Sequence, residues 1–175
     1  MSAPAQVTLE ETSALDLAAL RCMTFKELEA LYHTGRRPST MASLDGDAKG
    51  AMLAWRHPAS GPFAALLRAM GRSRGFPWMG KSFKSLNSDN GEGINRINLQ
   101  IWKTRWFPFG TRFDASFLDG KPTFVLDYAR PGNPPFIRQI VDEVREVAPG
   151  LYMGPAALKI GGKPRPILFF AISYR

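Results

Sequence analysis

Arg96, Arg112, Asp114 and Asp127 are the side chains of this sequence whose types and spacing could do chemistry together. They fall in runs that alternate apolar and polar residues, so each run puts its polar members on one strand face. Arg112, Asp114 and Ser116 share a face with Thr123 and Asp127, while Arg96, Asn98, Gln100 and Trp102 share another, opposite Ile97, Leu99 and Ile101. An arginine held by an aspartate can grip a ligand carboxylate or polarise a carbonyl, and a shielded carboxylate can serve as general base. A buried arginine demands that acidic neighbour, because an unpaired interior charge is very costly. These positions nominate Arg112, Arg96, Asn98, Trp102, Tyr128 and Tyr152 as ligand-binding residues, and Asp127 and Asp114 as catalytic bases. The competing reading is plainer: the polar faces meet water and the apolar faces fill a core.

Standard catalytic signatures are missing. The sequence has no phosphate-cradling glycine loop, no Gly-x-Ser-x-Gly elbow and no histidine pair at metal-binding spacing. Of the two histidines, His33 closes a helix and His57 precedes Pro58 in a turn. The single cysteine, Cys22, excludes an internal disulfide and a cysteine metal cluster. Asp89 and Glu92 sit in the turn Asn87–Gly93 without the ligand spacing of a calcium loop. No metal and no cofactor is expected.

The elements that must position these residues are mostly strands. Asp119-Gly120 lies between two alternating runs and signals a tight hairpin. With those two residues central, Phe113 faces Leu126 and Ala115 faces Phe124 on one side, Arg112 faces Asp127 and Ser116 faces Thr123 on the other. Strands are expected at 51–56, 81–86, 94–102, 109–118, 122–128, 151–160 and 166–174. Residues 1–40 read as helical, with Thr24-Phe-Lys-Glu27 forming a capping box and an earlier piece at 15–23. A short helix is expected at 61–70. A longer one is expected over 134–147, where Asn133 caps, Pro134 and Pro135 lead, and Phe136, Ile137, Ile140, Val141, Val144 and Val147 form an apolar stripe.

The sum is a mainly β chain in a single domain, 1–175, with a helical segment 1–40 and a β-barrel over 49–175. Short links favour antiparallel order, and a closed barrel of seven or eight strands removes exposed edges. An α+β open sheet is the alternative. The stretch Asp127-Tyr-Ala-Arg-Pro-Gly-Asn-Pro134, continuing through Ile137 to Gly154, is similar to segments of uncharacterised bacterial proteins. With the strand order, it resembles the lipocalin-like, or calycin, barrels. That resemblance implies an N-terminal helix near a barrel opening and a late helix against the wall.

Charge and size bound the partners. The chain of 175 residues carries a net charge of +8. From Arg68 to Arg112 nine basic residues face only Asp89 and Glu92, which favours an acidic partner. No RNA-recognition or zinc-finger spacing supports nucleic acid. No run approaches the roughly 18 apolar residues of a membrane span, and the N-terminus lacks a secretory pattern, so cytoplasmic residence is expected. The function expected is binding of a hydrophobic small molecule with an acidic or carbonyl group inside a barrel. A cofactor-independent isomerase or cyclase in the same cavity is the alternative, and a basic module for nucleic acid or membrane surfaces is a third.

Overall fold

The computed structural model describes residues 15–56, 78–98 and 103–175. Eight antiparallel strands, each paired with its sequence neighbour, close into a barrel when the last meets the first. They are β1 (Gly46–Trp55), β2 (Trp78–Ser85), β3 (Asn90–Asn98), β4 (Lys103–Ala115), β5 (Pro122–Asp127), β6 (Ile140–Ala148), β7 (Leu151–Ile160) and β8 (Lys163–Ser173). The expected mainly β, closed antiparallel barrel is the observed fold. The β7–β8 turn shows how the sequence sets the meander. Gly161 and Gly162 take φ of 58° and 77°, the left-handed conformation that a two-residue hairpin turn needs and glycine adopts without strain.

The segment foreseen as a helix over 134–147 is instead a 3-10 turn, Ile137–Gln139, followed by strand β6. The apolar stripe is real, but both faces of the strand are covered. Val144 and Asp142 point into the barrel, whereas Glu143 and Arg145 lie beneath a helix on the outside, and all four are buried. Burial on two sides erases the period-2 alternation, and β-branched Ile140, Val141 and Val144 suit a strand better than a helix. The helix foreseen at 61–70 lies outside the described residues.

The β4–β5 hairpin is two residues out of the expected register. Phe113 pairs with Phe124, Arg112 with Val125 and Asp114 with Thr123. The connection runs from Ser116 to Lys121, where Ser116 N donates to Lys121 O at 2.9 Å and Gly120 N to Ser116 O at 2.8 Å. Glu143 keeps this loop open by accepting from Phe117 N and from the Ser116 hydroxyl, each at 2.6 Å. A two-residue shift preserves side-chain parity, so the faces assigned from sequence survive.

Two helices, α1 (Leu17–Arg21) and α2 (Phe25–Thr34), lie on the outer wall. The capping box forms as foreseen: Thr24 N donates to Glu27 Oε2 at 2.7 Å, and Glu27 N to Thr24 Oγ1 at 3.3 Å. Leu20, Leu28 and Tyr32 bury against Leu151, Met153, Phe169 and Ala171. Helix α2 therefore clads the barrel and does not plug it. One end is closed by the 3-10 turn Met41–Leu44, whose Met41 and Leu44 join the interior core, while the hydroxyls of Tyr152 and Tyr174 donate to Ser43 O and Leu44 O.

Candidate functional site

Alternation along β2 sends Lys81 and Phe83 inward, and pairing sets Lys81 between Ala48 of β1 and Asn95 of β3. From the opposite wall, Asp142 of β6 projects beside Leu126 and Ala156. The two charges meet inside the barrel, Lys81 Nζ 3.1 Å from Asp142 Oδ2, with their side chains 4 % and 5 % exposed. Lys81 also donates to Asn95 Oδ1 at 3.0 Å and to the Tyr128 hydroxyl at 2.5 Å. That hydroxyl accepts from Asn95 Nδ2 at 3.1 Å and donates to Asp142 Oδ2 at 3.3 Å. Trp78 Nε1 donates to Asn95 Oδ1 at 3.1 Å, and Asn95 Nδ2 to Phe107 O at 3.3 Å.

Around the ammonium stand the rings of Phe170, Phe109, Tyr128 and Trp78, with centroids 5.0, 5.1, 5.2 and 5.6 Å from Nζ. Their π-faces and the carboxylate together replace the water that a buried cation loses. Burial nevertheless dominates. It pulls the Lys81 ammonium below its ordinary pKa, with Asp142 opposing, and pushes the Asp142 carboxyl above its own, with Lys81 opposing. Burial, followed by the field of Asp142, drives the Tyr128 hydroxyl well up. All three lysine donors are engaged, whereas Asp142 Oδ1 is buried with no hydrogen-bond partner among the described residues.

The residues nominated from sequence divide sharply. Tyr128 and Tyr152 are in the interior core, and Tyr128 belongs to the polar cluster itself. Burial, then the neighbouring Glu146, pushes the Tyr152 hydroxyl up to about 12. Arg112 does reach Asp127, at 3.3 Å, and Asp114, at 3.0 Å, but on the outside of the wall, where its side chain is 41 % exposed. The alternation that turns Phe113 inward turns Arg112, Asp114 and Asp127 outward. Asp114 is held low by the Ala115 N–H and then by Arg112. At Asp127 burial acts upward, but the Ala129 N–H, Lys159 and Arg112 outweigh it and lower its pKa. Neither carboxylate can act as a base inside the barrel. Arg96 is also external, with Nε 3.6 Å from Asp47 Oδ2 and Nη1 3.3 Å from Ala48 O. Asn98 ends β3 half-buried, in register with Lys103. Trp102 lies outside the described residues.

A second buried polar group binds α2 to the wall. Tyr32 donates to Glu143 Oε2 at 2.7 Å, and the fully buried guanidinium of Arg145 grips Asp119 through two bonds, 2.7 and 2.9 Å. Asp119 also meets His33 Nδ1 at 2.9 Å. These contacts are fastening, since together they join the helix, β6 and the β4–β5 loop.

The fold and the site define a closed, eight-stranded antiparallel barrel with an ion pair in its interior. No family model and no curated protein matches the chain. A solved structure described as a protein from Thermomonospora curvata has the same fold: its TM-score is 0.60 at 19% identity, over 95% of this chain and 97% of that one.

Proposed function

We propose that the barrel binds a hydrophobic small molecule in the manner of lipocalin-like carriers, with its polar group meeting Lys81, Asp142, Tyr128 and Asn95. One observation carries this: an ion pair buried among aromatic rings whose second carboxylate oxygen, Asp142 Oδ1, has no hydrogen-bond partner among the described residues. An ion pair in an apolar interior costs desolvation that a hydrophobic pair would avoid, so its presence asks for a use. The chemistry of the head group follows from the hydrogen bonds. The acidic or carbonyl group expected from sequence relied on Arg112 and Arg96, which are outside. Inside, the charges cancel and every lysine donor is occupied, so the open position is an acceptor. The ligand is an apolar body carrying a hydroxyl or N–H.

Displacement of a fluorescent apolar dye by decanol, decanoate and decane tests this. Decanol should bind about tenfold tighter than decane, the value of one hydrogen bond to a charged group. In the double variant Lys81→Met/Asp142→Leu the alcohol's advantage should vanish while dye binding persists. Equal affinity for the alcohol and the alkane in the unaltered protein would refute the head-group assignment, and failure of all apolar probes would refute the barrel site.

A second reading has its own support. Asp142 is a carboxyl raised by burial, next to a phenol and an amine, the setting in which general acids and bases operate. The isomerase alternative then rests on Asp142 as base and Tyr128 as donor, in place of Asp127 and Asp114. Exchange of an α-proton of a bound ketone with deuterium, abolished in Asp142→Asn, is its expected signature.

A further inference from the structure

The outer face of β1–β4 carries a hollow of about 650 Å³ whose rim includes Asp47, Lys84, Glu92, Arg105 and Arg130. Its origin lies in the strand register. Ser82, Ile94 and Pro108 form one row of register partners, and Lys84, Glu92 and Gly110 the next. Where β4 should project long side chains it offers only Pro108 and Gly110, so the sheet surface is left low. Arg130 lies across Gly110, its guanidinium 3.5 Å from where a β-carbon would stand. Ile94 and Pro108 give the floor an apolar patch, and the intervening row, Phe83 and Gly93, turns its side-chain positions inward.

Charge in this hollow is unbalanced. Asp47 is already used: it accepts from the Ser82 hydroxyl at 2.5 Å and pairs with Arg96 at 3.6 Å. Lys84, Arg105 and Arg130 make no ion pair within 4.0 Å among the described residues, although the field of Arg105 reaches Asp47. Among the described residues lining the hollow, Glu92 alone remains to oppose three cations. Part of the basic excess seen between Arg68 and Arg112 is therefore concentrated around one concave surface. Its volume lies within the range of small-molecule sites, roughly 300–1,000 Å³, and is too confined to track a nucleic-acid backbone.

We propose that this hollow is a binding site, separate from the barrel interior, for a flat small molecule bearing a single anionic group. The ring lies on Ile94 and Pro108, and the carboxylate, sulfonate or phosphate faces Lys84, Arg105 and Arg130. The proposal does not depend on the barrel's ligand.

Titration with 2-naphthoate and its uncharged analogue 2-naphthamide, followed by backbone amide shifts, tests it. Naphthoate should move the amides of Glu92–Ile94, bind more tightly than the amide, and weaken as salt is raised. Arg105→Gln and Lys84→Gln remove exposed charges without touching the core, and each should lower naphthoate affinity about fivefold, the value of one charge contact in water. Lys163→Gln, on the β7–β8 turn, should leave it unchanged. Equal binding of acid and amide would overturn the site. So would insensitivity to both charge variants, or loss of binding in Lys81→Met/Asp142→Leu, which would place the aromatic acid inside the barrel. Binding of an RNA oligonucleotide without any of naphthoate would replace the proposal with the nucleic-acid reading.

Discussion

Arg145 and Asp119 show how single residues tie distant parts of this chain. The guanidinium is fully buried and spends its donors on Asp119 and on the carbonyls of Tyr32, Lys121 and Pro122. Removing the carboxylate in Asp119→Ala leaves that cation uncompensated, and the expected loss is about 3 kcal/mol, read from the shift of a denaturant midpoint. The same contacts set a pH dependence. Hydrogen bonds from Arg145 lower Asp119 most, burial opposes, and His33 and the Lys121 N–H add to the lowering. The folded-state value therefore lies below the unfolded one, about 3.9. The stabilisation is complete above the unfolded value and is lost as pH falls through it toward the folded value. Glu143 works oppositely: burial raises its pKa against the pull of Ser116, Phe117 and Tyr32, so its contribution fades as pH rises above the unfolded value. Acid titration of stability should show a descending limb below about pH 4 that Asp119→Ala makes shallower, the rest coming from Asp47, Asp114 and Asp127, whose pKa values are also lowered, whereas Glu143→Gln should weaken only the opposing trend.

At the scale of elements, one buried hydroxyl is among the contacts that fasten helix α2, beside the His33–Asp119 contact, the Arg145 bond to Tyr32 O and the apolar packing of Leu28. Tyr32 is fully buried and donates to Glu143 Oε2 at 2.7 Å. Tyr32→Phe keeps the packing against Phe169 but strips the carboxylate of a donor, at an expected cost of about 1–3 kcal/mol. Hydrogen exchange should quicken in α2 and in the 116–121 loop while β1–β3 stay protected; uniform loss of protection would show that the helix does not open independently. Most of the strands and the capping box were legible in the sequence because each rests on a local rule, alternation in one case and paired backbone donors in the other. Strand β6 was not, since Glu143 and Arg145 are polar yet buried under α2, and a run covered on both faces has lost the signature of a strand. That misreading hid Asp142. Lys81 had a signal, its shared parity with Phe83 in the run 81–86, but local pattern does not say that a lysine among apolar neighbours will meet an aspartate from the opposite wall. Arg112 and Asp127 drew attention because their pairing is local, and for the same reason it remains on the surface.

Across the whole molecule, closure creates the relation on which function is proposed to rest. Lys81 and Asp142 belong to strands four places apart in the barrel order, β2 and β6, and only a ring of eight brings them to 3.1 Å. The interior around them is built from Phe83, Phe109, Phe124, Leu126, Leu168 and Phe170, which could as well surround an apolar pair. If the ion pair served stability alone, replacing it with Met and Leu should weaken the barrel. The physics favours the opposite: a buried pair exchanged for hydrophobic residues of similar volume is commonly neutral or stabilising by about 1–4 kcal/mol, whereas losing one partner alone costs about 3–5 kcal/mol. Thermal and denaturant unfolding should therefore rank Lys81→Met well below the unaltered protein and Lys81→Met/Asp142→Leu at or above it, with the two single effects strongly non-additive. A double variant that is more stable but has lost its preference for decanol would show that the barrel carries these charges for its ligand. A double variant as weak as the single one would make the pair a structural fastening, and the interior would lose its claim to be a binding site for a polar head group.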